Sequence, residues 1–129
     1  MAIDLILLSA GLLSLAFAYG HAAWGQKHIM AEVTATGMSA LIQTAIFTNV
    51  HQTTSFMSVA GIALIVSSML PDAAAAKALA WLVLAINLGN FLVFIAASLA
   101  MNRQALRQTA PQIAVMAMYL CLIVFGVSV

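Results

Sequence analysis

Charged side chains occur at Asp4, Lys27, Glu32, Asp72, Lys77, Arg103 and Arg107, and the stretches between them are nearly unbroken runs of Leu, Ile, Val, Ala, Phe, Ser and Gly. Four of these runs, 3–23, about 50–70, 76–100 and 112–129, each supply close to the ~20 apolar residues that cross a ~30 Å hydrocarbon core at ~1.5 Å per residue. Lipid offers no partner to an open strand, so each run is predicted to be helical. Pro71 with Asp72 closes the second run, and Pro111 opens the fourth, where a missing amide is harmless. The expectation is one all-α transmembrane domain over 1–129, a bundle of four membrane-crossing helices.

The connection over 24–49 is longer than the others and is not simply a loop. From Ala40 the stretch "ALIQTAIFTNV" reads as helical and mostly apolar. Either the second helix begins early and protrudes, or a short helix lies in the interface. Trp24 stands where an interfacial aromatic belongs.

Helices associate in lipid through close packing of small residues and through interhelical hydrogen bonds. At 100° per residue, Gly11, Ser14, Ala18, His21, Ala22 and Gly25 share one stripe of the first helix with Asp4. In the second helix Thr54, Ser55, Ser58 and Gly61 share a face with His51. By helical rise, His21 and His51 lie about 26 and about 30 Å from the outer boundary, at nearly one depth. If the first two helices are antiparallel neighbours, the two imidazoles meet within a few ångströms. In the fourth helix Ala114, Ala117, Cys121 and Ser128 form the expected close-packing stripe, leaving the larger side chains to lipid or to other subunits.

Composition sharpens the picture. Apolar residues make up 65% of the chain, against four Lys or Arg and three Asp or Glu. A soluble domain needs a charged surface on the order of a quarter of its residues. A net charge of +1 provides no footprint for nucleic acid. Lys27, Arg103 and Arg107 fall on one side and Lys77 on the other, so the first side is expected to be cytoplasmic, with both termini outside. Ala16-Phe17-Ala18 has the small-x-small form of a cleavage site, but the segment before it carries Asp4 and no Lys or Arg, so the first span reads as a stable helix. The expected setting is a bacterial-type inner (plasma) membrane. The expected partners are the lipid bilayer, further copies of the chain as a homo-oligomer, or other membrane subunits.

The candidate chemistry centres on His21-Ala22, Gly25-Gln26 and Val50-His51. These pairs resemble a group of small bacterial four-helix membrane proteins of uncharacterised function. Those proteins end the first span in His-Ser or His-Ala, follow it with Gly-Glu, and open the second span with Trp-His. Gln26 and Val50 depart from that pattern. The resemblance covers about the first half of the chain and implies no known chemistry beyond reading His21 and His51 together.

Three readings of the pair compete. In the first, each histidine is a boundary side chain bonded to neighbouring Ser and Thr or to water. In the second, the pair is a ligand site: two neutral imidazoles can ligate haem iron axially, or one can bond a quinone head group. Ser55 and Gln26 would then fix the ring tautomers. A metal site with His28 as third nitrogen is weaker, since no carboxylate stands at i+3 or i+4 from any of the three histidines. The third reading is transport, built on Asn87 and Asn90 near mid-membrane, although interhelical packing explains amides there more readily.

The small multidrug exporters match in length and helix count but keep a mid-span carboxylate, and this chain has none. A single cysteine rules out an intramolecular thiol pair. The eight methionines are spread along the chain and read as packing. The favoured expectation is a redox-type ligand, haem or a quinone head group, between His21 and His51 near the cytoplasmic face, with no catalytic residue assigned. The alternatives are a cofactor-free structural or accessory subunit of a membrane complex and, behind it, a small transporter.

Overall fold

A computed structural model describes residues 3–101 and 103–128. Helix α1 (Leu5–Trp24) runs without a break through a five-residue π-helical segment, Gly25–Ile29, into α2 (Met30–Ala35). The remaining helices are α3 (Ala40–Met69), α4 (Ala73–Met101), α5 (Arg103–Gln108) and α6 (Ala110–Ser128). Four helical stretches are long and apolar enough to cross a membrane: Leu5–Ala35, α3, α4 and α6. The fold is an all-α four-helix membrane bundle, with no strand among the described residues.

In the long connection the second helix begins early, at Ala40. A ~30 Å core needs only ~20 residues, whereas α3 has 30. Ser39 caps α3 through the Ile42 amide. Gly37, at φ 66°, takes the left-handed conformation that turns the chain between α2 and α3. The stretch between α4 and α6, outside the predicted runs, holds a short helix, α5.

The most extensive contact is between α1 and α3, and two glycines permit it. A Cβ on Gly11 would lie 2.8 Å from the Gly61 carbonyl oxygen, and one on Gly61 would lie 2.8 Å from the Gly11 carbonyl oxygen. The backbones therefore touch at this crossing, as small residues allow in lipid. Hydrogen bonds on both sides hold the antiparallel register. The Asp4 amide donates to the Ser68 carbonyl at 3.0 Å, and the Ser14 hydroxyl donates to the Met57 carbonyl at 2.8 Å. Asp4 also caps α1 through the Ile6 and Leu7 amides.

Helix α4 packs on α3 and α6, and α6 closes the ring onto α1. The α3–α4 hairpin is tied by the Ser67 hydroxyl, which donates to the Ala76 carbonyl at 2.6 Å, while Asp72 caps α4 through the Ala74 and Ala75 amides. Leu7, Leu64, Val83, Leu84, Tyr119 and Ile123 form the shared core.

The inward face of α6 is the reverse of the one expected. Tyr119, Leu120, Ile123, Gly126 and Val127 are buried, and Ala114, Ala117, Cys121 and Ser128 point outward. The reason is the shape of α1 opposite. Phe17 meets the Tyr119 ring edge-on at 6.0 Å, and Leu7 fills the notch above Gly126.

Candidate functional site

His21 is set by the α1–α3 register. Beyond the glycine crossing, α1 carries its ring to the level of Thr54, and His21 Nδ1 lies 3.0 Å from Thr54 Oγ1. The Thr54 hydroxyl donates its own proton to the Val50 carbonyl at 3.1 Å. With its proton assigned to Val50 the hydroxyl accepts from the imidazole, an assignment that puts the ring hydrogen on Nδ1 and leaves the Nε2 lone pair open. The sequence placed Thr54 on the histidine face without giving it this role. Its signal was the offset of three residues from His51, which brings its hydroxyl to the depth of His21.

The imidazole forms part of the wall of a groove of about 490 Å³. Helix α1 contributes Ala16, Phe17, Gly20 and Trp24, α3 contributes Met57, and the start of α6 closes the far side with Pro111, Gln112, Val115 and Met116. The lining is mostly apolar, with His21, Gln112 and Thr109 as its polar side chains. Gly20 leaves the middle of the wall open, since nothing lies within 4 Å of where its Cβ would be.

The other predicted site residues separate. His51 is half-buried and near enough to interact with His21 electrostatically, but its ring packs edge-on against Phe47 at 4.2 Å and does not line the groove. His28 is exposed and leans on Trp24, with ring centres 5.8 Å apart. The π-helical segment explains this: its wider turn rotates His28 away from the His21 stripe that a regular helix would keep it on. Among the described residues no three of His, Cys, Asp and Glu gather to hold a metal ion, so the His21, His51 and His28 ligand set is not assembled.

Ser55 and Gln26 are exposed, and neither makes a hydrogen bond to either histidine among the described residues. Ser55 is turned 100° from Thr54, which takes the anchoring position instead. Asn87 is buried and donates to the Val83 carbonyl of its own helix at 2.8 Å, while Asn90 is exposed, so the two amides do not form a shared polar face.

Fold and site together define an integral membrane protein of the four-helix-bundle class, with one histidine-bearing groove on its flank. No known protein family, curated protein or solved structure matches the chain.

Proposed function

We propose that the groove binds a membrane-dissolved amphiphile whose small head group donates a hydrogen bond to His21 Nε2, with the quinol class as the best fit. The observation that carries this reading is the Val50–Thr54–His21 chain of hydrogen bonds, which leaves an accepting nitrogen on a mostly apolar wall. A quinol hydroxyl is a donor and satisfies that nitrogen, and its prenyl tail suits a groove lined by Phe17, Met57, Val115 and Met116. A haem held between His21 and His51 is less well supported, because His51 is turned onto Phe47. We place the groove toward the cytoplasmic side of a bacterial-type inner membrane, on the positive-inside bias of Lys27, Arg103 and Arg107.

The test uses Trp24, which lines the groove, in a Trp81→Phe background that removes the other tryptophan. Protein in lipid nanodiscs is titrated with a short-chain ubiquinol, reading Trp24 quenching. Saturable binding is expected, weakened about tenfold in His21→Ala, as for the loss of one hydrogen bond of about 1.5 kcal/mol. Absence of saturation, or equal affinity in His21→Ala, overturns the proposal.

A further inference from the structure

The outer face of α4 carries a group that hydrocarbon does not satisfy. Asn90 stands midway between Lys77 and Arg103 in the sequence, about 20 Å of helical rise from either charge, and so at the centre of the apolar layer. Its side chain is exposed and makes no hydrogen bond among the described residues. Asn87, one turn earlier, shows the contrast, being buried and bonded to the Val83 carbonyl. Lipid chains contain neither donor nor acceptor, so an amide facing them alone is strongly unfavourable.

We propose that a second copy of this chain supplies the missing partner, with α4 packed on α4 about a two-fold axis and the two Asn90 amides bonded to each other. An amide carries a donor and an acceptor, so it is its own complement. A two-fold axis passing beside Asn90 sets that residue opposite its own copy and satisfies both amides at once. The surface beside Asn90 permits that approach. A Cβ on Gly89 would meet nothing within 4 Å. Ile86 and Val93, four residues before and three after Asn90, and Leu82, a further turn back, are all exposed and contribute nothing to the protomer's own core. At 100° per residue Leu82, Ile86, Asn90 and Val93 fall within about 80° of one another, on one face of α4. The proposal is independent of the groove, which lies on α1, α3 and α6.

Self-association is measured by energy transfer between donor- and acceptor-labelled copies of the full chain in phosphatidylcholine liposomes, diluted with lipid. The expected result is a saturating dimer, with the dissociation constant raised about tenfold in Asn90→Leu and within about threefold of wild type in Asn90→Gln, whose amide is kept. Disulfide mapping in a Cys121→Ser background provides a second reading that leaves Asn90 in place. Gly89→Cys and Val93→Cys should cross-link, and Leu88→Cys and Leu92→Cys, on the opposite side of the helix, should not. A monomeric wild type, an Asn90→Leu protein that associates as wild type does, or cross-links confined to 88 and 92 overturns the proposal. So does a chain that is monomeric alone and uses Asn90 only to capture a different protein.

Discussion

Replacing Gly11 with alanine tests the central packing contact. The added Cβ would lie 2.7 Å from Ile65 Cγ1, 2.8 Å from the Gly61 carbonyl oxygen and 3.0 Å from the Ile65 amide nitrogen. Two of these three atoms are backbone and cannot swing aside. Restoring an ordinary contact of 3.4 Å to the Gly61 oxygen parts the helices by about 0.6 Å (3.4 less 2.8). The same movement stretches the Ser14–Met57 hydrogen bond, now 2.8 Å. Overpacking contributes about 1–3 kcal/mol of destabilisation and the weakened hydrogen bond up to about 1 kcal/mol. The gain in helix propensity returns about 0.5–1 kcal/mol. The net expectation is a loss of about 2 kcal/mol. Gly20→Ala is the control, since open space surrounds its Cβ position and only the propensity gain remains, about 0.5–1 kcal/mol of stabilisation. Reversible unfolding in mixed micelles, followed by circular dichroism, should separate the two variants by about 2–4 kcal/mol. A Gly11→Ala protein as stable as Gly20→Ala would refute backbone contact between α1 and α3.

Gly126→Ala is expected to be milder, at about 1 kcal/mol in the same assay, because its Cβ meets side-chain atoms of Leu7, Cδ2 at 2.6 Å and Cγ at 2.9 Å, rather than backbone. Tyr119→Phe should be near neutral on unfolding, within about 1 kcal/mol: the buried Tyr119 hydroxyl has no well-formed hydrogen bond, only the Ser14 hydroxyl close by, whose own proton goes to Met57. Thr54→Val keeps the shape beside His21 and removes its anchor, so ubiquinol affinity by Trp24 quenching should fall about fivefold, midway in the range for one neutral hydrogen bond.

The four crossings were legible because charged residues mark where hydrocarbon ends, and lipid leaves a chain no alternative to the helix. Counting ~20 residues per span measures the bilayer and not the helix, which is why the ten residues from Ala40 to Asn49 were not assigned to α3 outright despite their helical pattern. Side-chain direction was harder to read. A one-residue offset moves a group by 100°, enough to exchange Ser55 for Thr54 as the neighbour of His21. The smaller offset between Asn87 and Asn90, three residues along the helix, separates a buried amide from an exposed one. The rule that small residues mark the interface held for Gly11 and Gly61. It failed for the Ala114, Ala117, Cys121 and Ser128 stripe of α6, which faces outward while Tyr119, Ile123 and the small Gly126 are buried. The π-helical turn carries no signal in its own five residues, GQKHI, and its wider turn shifts His28 off the His21 stripe and onto Trp24.

Val50 links that turn to the groove. Its carbonyl receives the Thr54 hydroxyl and so sets the His21 tautomer, while its Cγ1 lies 2.6 Å from where a Cβ on Gly25 would stand, at the first residue of the π-helical segment. A methyl group added at Gly25 therefore presses on the residue that orients the accepting nitrogen. The valine side chain has few rotamers to escape into, so α3 must yield locally or the π-helical segment must shift. Either movement disturbs the 3.0 Å contact between His21 and Thr54, whereas the Gly11–Gly61 crossing lies about 20 Å away along α1 and is spared. Gly25→Ala should accordingly lower ubiquinol affinity about fivefold, as Thr54→Val does, and lose less stability than Gly11→Ala. If Gly25→Ala instead binds as wild type does while Thr54→Val is impaired, Val50 does not transmit the register of the hairpin to the histidine, and the groove is positioned by the glycine crossing alone.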